Sequence, residues 1–401
     1  MTPAPPLPLP QAQARLLAHV EPLVGQTVPA ERAIGRYLAE PLLARRTQPA
    51  ADLSAMDGYA MRADDLAGPW HIVGESAAGH PFAGQLAANE AIRISTGAIM
   101  PDGRCAVLLQ ENANRTATTL APNGEGEPSE RHIRRAGLDF LGGDEVLPAG
   151  TRIGPAQLAL ALAAGHGELP VHRLPSLAVL DSGDELSADP ANCASHQVPA
   201  SNGAMLAAMA APHVASVLRL GPVPDRLEAI LAALEQASDT DVIVTSGGAS
   251  VGDHDLVRPA LEQWGAAIDF WRVAIRPGKP LLVARRGQQW VVGLPGNPVS
   301  SYVTALLFLL PLLRALGGAS RPLPRPVTMR LGASLPASGN RTEFVRARLD
   351  GESLVPAAEQ DSSALAALAG ADALIERPAG ASAASIGDLV RAYWLENGGV
   401  A

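Results

Sequence analysis

The chain has 401 residues, 47% of them apolar, and a formal net charge of -9. That length calls for several cores, and the apolar fraction excludes intrinsic disorder. The acidic balance excludes a generally basic surface for nucleic acid or an anionic membrane, so any anion site must be local. Cys105 and Cys193 are the only cysteines, which excludes a disulfide framework and a thiolate zinc site and fits a reducing cytoplasm.

In chain order, MTPAPPLPLPQAQARLL lacks the basic start and continuous apolar core of a secretory signal and reads as a proline-rich lead-in. Residues 11 to 45 carry helical spacing, first Leu16, Leu17 and Val20, then Ile34, Leu38 and Leu42, with Pro41 kinking or ending the second helix. From 46 to 142, short apolar runs such as WHIVG, AIRIS and CAVLLQ alternate with Gly, Pro and Asn clusters, which predicts a β-rich module inserted between helical pieces. A helix over 155 to 165 starts on Pro155 and stops before Gly165.

Strand-like and helix-like segments then alternate from LAVLD through VASVLRL and DVIVTS to a long apolar helix beginning at Pro298. The succession predicts a three-layer α/β domain with a mostly parallel sheet, whose ligands sit beyond the carboxyl ends of the strands. The most apolar run, Val303 to Leu313, is interrupted by Pro311 and falls short of the ~20 residues that span a bilayer, so it reads as a buried helix. After the joint SRPLPRP, the runs EFVRARL and LVRAYWL predict a small β domain. The predicted division is a discontinuous helical and linker domain of residues 1–45 and 143–175, the β module 46–142, the central α/β domain 176–319 and the β domain 320–401.

Several loops carry chemistry-bearing residues. After DVIVTS comes TSGGASVGDHD, where Ser246, Gly247, Gly248, Ser250 and Gly252 can bring backbone N–H groups onto a phosphate; with carboxylates at Asp253 and Asp255, a phosphate there calls for a divalent cation held by at least one of them. A flexible turn explains one such loop equally well. LDSGDEL adds Ser182, Gly183, Asp184 and Glu185 at the equivalent edge, where an ordinary polar loop is the simpler account of that segment taken singly. In GLPGNPVSS, Pro295 and Gly296 lead to Asn297 as N-cap and Pro298 at the first helical position, so the N–H groups of Val299 and Ser300 are expected to point outward; starting a helix is by itself reason enough for Asn297.

FWRVAIRPGKPLL brings Arg272, Arg276 and Lys279 together at a strand end, which suits an oxyanion, although such charges are usually just solvated. Lys279 is the single lysine among 31 basic residues, and its compact ammonium differs from the planar fork of arginine. A tight Asp-Gly turn accounts for Asp57, and N-capping accounts for Ser362 and Ser363. HExxH, Walker A and GxGxxG are missing, which counts against metalloprotease, kinase-like and dinucleotide-dehydrogenase functions.

Seven motifs in order, SAMDGYA, STGAIMPDG, SGDEL, SNGAML, TSGGASVGDHD, RPGKP and LPGNPVSS, resemble the MoeA/gephyrin E-domain family of molybdopterin molybdenumtransferases. The resemblance runs from the first helix to the C-terminal β domain. It implies a homodimer of four-part subunits that inserts molybdenum from molybdate into adenylated molybdopterin, with magnesium, and releases AMP. Further implied partners are the upstream adenylyltransferase and the downstream maturation proteins of molybdoenzymes. On this resemblance the glycine-rich loop and the helix at Pro298, with Ser300, hold phosphate and pterin, while Asp255, Asp225 and Glu185 place the metal or substrate. Lys279, Pro280, Arg341 and Ser362 or Ser363 match the positions that receive molybdate. Asp57 and Thr96 match positions important for activity and are expected to approach the partner subunit. The chain departs from the pattern at Arg272 and Arg276, where lysines are usual, at Asp181-Ser182, where Ser-Thr is commoner, and at Arg104-Cys105. Competing functions are the preceding adenylyltransferase, a tungstate-inserting variant and a gephyrin-like scaffold; the full-length motif set disfavours the first, and the want of a long linker or fused enzyme disfavours the last.

Overall fold

The computed structural model describes residues 5–247 and 256–395. Its central sheet uses strands β1 (Ser176–Ser182), β2 (Ser216–Val223), β3 (Val242–Ser246), β4 (Ala267–Trp271), β5 (Leu282–Arg286) and β6 (Gln289–Leu294), in the spatial order β2-β1-β3-β6-β5-β4. β2, β1, β3 and β6 are parallel, and β5 runs antiparallel to both its neighbours. The runs LAVL and VIV are buried on both faces, as parallel strands covered by helices on each side require.

In chain order the helices are α1 (Leu9–Leu17), α2 (Pro155–Ala163), α3 (Asn202–Ala210), α4 (Leu227–Gln236), α5 (Val257–Gln263) and the run Pro298–Leu316, called α6. α3, α6 and α1 cover one face of the sheet, and α4 and α5 cover the other. α6 is apolar enough to cross a membrane by composition, yet 83% of its most apolar window lies inside the protein. Phe308, Leu309, Leu312 and Leu313 are fully buried there, each contributing about 1.5–3 kcal/mol.

The interruption expected at Pro311 does not end α6. The helix passes through a π turn over Ala305–Leu309 and continues. Proline offers no N–H to the carbonyl four residues back, and Gln13 of α1 donates to that Leu307 oxygen at 3.0 Å instead. α1 therefore packs into the central core and not beside the segments at 25–45 and 145–172.

A second correction concerns Ile34, Leu38 and Leu42, whose spacing predicted a helix. Ala30–Ala33 is a 3-10 turn, after which the chain turns at Gly35 with φ +82°, makes single β-bridges at Tyr37 and Leu38, and enters the short strand Leu42–Leu43. The N–H groups of Gly35, Leu38 and Ala39 donate to Ile153, Thr151 and Pro170, so distant segments take the bonds that a helix would have closed locally. The β module forms a six-stranded sheet from Gly58–Arg62 to Thr119–Pro122. The C-terminal strands Thr342–Asp350, Ser353–Pro356, Val327–Leu331, Leu389–Trp394 and Ala373–Arg377 close on themselves through a pairing between the first and last, making a small barrel. Ile275–Arg276, from the central domain, adds to that barrel in parallel with Thr342 and Glu343.

Candidate functional site

The carboxyl ends of β1, β3 and β6 converge, as the crossover order of the sheet dictates. Gly247 has φ +95°, and a Cβ there would lie 2.5 Å from the Ser182 carbonyl oxygen. A Cβ at Gly296 would lie 3.6 Å from the Gly247 Cα. The glycines thus serve contact between three loops, and the Asn202 amide ties them by donating to Ser246 Oγ at 2.9 Å and to the Gly296 carbonyl at 2.7 Å. Asn202 belongs to the motif SNGAML, but its polar side chain at a helix start gave no sign of the partners it bridges.

These loops floor a cleft of about 710 Å³, within the range of small-molecule sites. Ser182, Glu185, Asp225, Ser246 and Gly247 line it, as do Pro295, Gly296, Asn297 and Pro298. Pro280 and Ser363 form a further wall, the latter from the C-terminal barrel. The Ser182 hydroxyl donates to Asp225 Oδ1 at 2.8 Å, and the Asp225 N–H donates to Asp184 Oδ1 at 3.1 Å. Gly183 leaves room for the Glu185 carboxylate, whose Oε2 would lie 2.6 Å from a Cβ.

Asp181, not foreseen as a site residue, also lines the cleft and is only 4% exposed. Burial pushes its carboxyl up to about 6, against Arg219 and the Gly203 N–H, which act to lower it. A Cβ at Gly203 would lie 2.0 Å from Asp181 Oδ2, so glycine in α3 is what admits the carboxylate.

Other predicted residues stand elsewhere or are engaged differently. The Val299 N–H does not point free, because it donates to the Ser362 carbonyl at 3.0 Å. Asn297 sits at the N-cap position without capping, and its amide donates to Ser362 Oγ at 2.9 Å. Ser300 is buried. Neither Ser362 nor Ser363 caps the short helix Leu365–Ala369, which Ala364 precedes; the Ser363 N–H and hydroxyl both donate to Asp361 Oδ1.

Lys279 is exposed, and its ammonium has no hydrogen bond or ion pair among the described residues. Gly278 before it has φ +105°, and a Cβ would lie 2.6 Å from Thr304 Cγ2, so the loop seats against α6. Arg276 faces the barrel, 3.6 Å from Glu343, and Arg341 Nη1 donates to the Ile275 carbonyl at 3.4 Å. Arg272 has φ +99° and, like Lys279, Arg276 and Arg341, is not part of the cleft lining. Asp57 and Thr96 come together in the β module, where the Thr96 N–H donates to Asp57 Oδ1 at 2.8 Å. Gly248, Ser250, Gly252 and Asp255 lie outside the described residues.

A cleft at the carboxyl ends of a mostly parallel sheet, walled on one side by the C-terminal barrel, is the small-molecule site of a doubly wound α/β protein. Residues 178–315 match the family model described as a probable molybdopterin binding domain, residues 7–165 the MoeA N-terminal region (domain I and II) and residues 328–395 the MoeA C-terminal region (domain IV). The chain is similar to the molybdopterin molybdenumtransferase of Haemophilus influenzae, 35% identical over 319 residues covering 78% of each chain. It is 31% identical to that of Bacillus subtilis over 98% of this chain and 95% of the relative. The crystal structure of the molybdopterin biosynthesis moeA protein from Pyrococcus horikoshii OT3 superposes with a TM-score of 0.83 at 25% identity, over 98% of this chain and 100% of that one. The chain belongs to the MoeA family of molybdopterin molybdenumtransferases.

Proposed function

We propose that this protein inserts molybdenum from molybdate into adenylated molybdopterin with release of AMP. The observation that carries the reading is the cleft itself. Its floor offers the glycine-lined ends of three parallel strands for phosphate and pterin, and its outer wall brings Pro280 together with Ser363 of the barrel. Gly247 and Gly296 let the three loops close against one another beneath the cleft, while Asn202 holds two of them in register. Lys279 at the adjoining loop offers an uncommitted compact cation to a tetrahedral dianion, with Arg341 beside the same strand.

Among the described residues no cluster of three metal-ligating side chains occurs. Magnesium does not require one, since it is commonly held by one or two carboxylates together with substrate phosphates. Glu185 and Asp225, both on the cleft wall, fit that need, with Asp255 as a third proposed ligand. When bound, the ion would neutralise phosphate charge as AMP departs. Asp57 and Thr96, paired on the β module, are proposed to reach the partner cleft in a homodimer. A cytoplasmic location belongs to the same proposal, in keeping with two unpaired cysteines.

The test is AMP release by the purified protein given adenylated molybdopterin, molybdate and magnesium. Release that rises with molybdate and falls on chelation of magnesium is expected. AMP no higher than in a protein-free control would overturn the function.

A further inference from the structure

Arg346 lies on the barrel strand Thr342–Asp350 and is 1% exposed, the largest charged side chain sealed within the described residues. Burying a guanidinium is costly, and burial lowers its proton affinity, although the nearby Glu359 and Asp361 carboxylates act to raise it. An apolar residue would fill the same barrel position more cheaply. What Arg346 does instead is hold one loop. Its Nη1 donates to the Asp361 carbonyl at 3.0 Å and its Nη2 to the Glu359 carbonyl at 3.1 Å.

Between those two carbonyls stands Gln360, and it grips the same residue from the other side. The Arg346 N–H donates to Gln360 Oε1 at 3.1 Å, and Gln360 Nε2 donates to the Arg346 carbonyl at 3.0 Å and the Ala357 carbonyl at 2.9 Å. Residues 359 to 361 are thereby fixed to the barrel by five hydrogen bonds, counting two from the guanidinium and these three of Gln360. The chain then delivers Ser362 to Asn297 and Val299 at the start of α6, and Ser363 to the cleft wall.

We propose that Arg346 and Gln360 are positioning residues that set Ser362 and Ser363 against α6, and so build the oxyanion half of the site without touching substrate. The inference rests on the proposed reaction, with molybdate received at this wall. If the clamp only braced the barrel, its loss would lower stability and leave both Michaelis constants alone. As a positioning device it acts on molybdate and spares adenylated molybdopterin, whose phosphate and pterin are held by loops of the central domain.

Gln360→Ala and Arg346→Lys test this in the full-length protein, with AMP release measured while each substrate is varied in turn. Gln360 is an exposed side chain, so its removal leaves the barrel core intact, and thermal unfolding of each variant checks that. Gln360→Ala is expected to raise KM for molybdate roughly tenfold, since small misplacements of binding groups are costly, with KM for adenylated molybdopterin within about twofold of wild type. Arg346→Lys, which keeps the charge but loses the fork, should move in the same direction. Equal changes in both constants, or none in a folded Gln360→Ala protein, would overturn the positioning role while the wild-type reaction stands. Wild-type AMP release indifferent to molybdate would instead overturn the proposed reaction, and the clamp's role with it.

Discussion

Replacing Asp181 by asparagine should make the protein more stable at neutral pH, although it removes a charged residue from the cleft. In the unfolded chain the carboxyl ionises near 3.8, and in the fold burial raises it to about 6. The fold therefore binds this proton more tightly than the unfolded chain does, and stability falls as pH rises between those two values. Above about 6 the full penalty is present, and at about 1.4 kcal/mol per pKa unit it amounts to about 3 kcal/mol. Asparagine keeps an acceptor for the Gly203 N–H and carries no charge. The pairing with Arg219 that is lost is long, 4.0 Å, and its arginine is 52% exposed, so it offsets little. Urea unfolding of wild type and Asp181→Asn, compared at matched pH, should show the variant ahead by up to ~3 kcal/mol near pH 7.5 and the gap closing towards pH 4. A gap that stays constant across this range, or a wild type at least as stable near pH 7.5, would refute the argument that a buried ionised carboxylate burdens the fold.

Two further outcomes follow from the same region. Gly203→Ala forces a Cβ to 2.0 Å from Asp181 Oδ2 and should cost about 1–3 kcal/mol; in an Asp181→Ser background the cost should largely vanish, and equal costs in both backgrounds by urea titration would show that the carboxylate is not the obstacle. Lys279→Arg should leave the melting temperature unchanged and raise KM for molybdate about tenfold, because a wide fork replaces a compact ammonium; wild-type kinetics would refute the proposed role of Lys279 in receiving molybdate.

Much of the fold was legible because its signals are local. LAVL and VIV are apolar on both faces, which parallel strands between helical layers demand, and the glycines and hydroxyls after them mark where a backbone must come close to something. The RPGKP turn and the α6 start at Pro298 were readable for the same reason, since proline and glycine fix conformation residue by residue. Beyond residue 264 the sequence does little to separate β5 from β6, since the RRGQQ turn between them is marked only by Gly287, at φ +61°.

What the tertiary structure decided is where partners come from. Ile34, Leu38 and Leu42 recur at helical spacing, yet no helix forms there because Thr151, Ile153 and Pro170 accept the N–H groups of Leu38, Gly35 and Ala39. Ser362 looked like a capping serine; its carbonyl instead takes the Val299 N–H that sequence left free for a ligand. Asp181 reads as a polar residue ending a strand, and only the apposition of Gly203 turns it into a buried acid. Composition and spacing determined which residues could serve an oxyanion and a phosphate. The hydrogen bonds and close contacts that bring barrel, helix and strand ends to one cleft join residues far apart in the chain, and no periodicity encodes them.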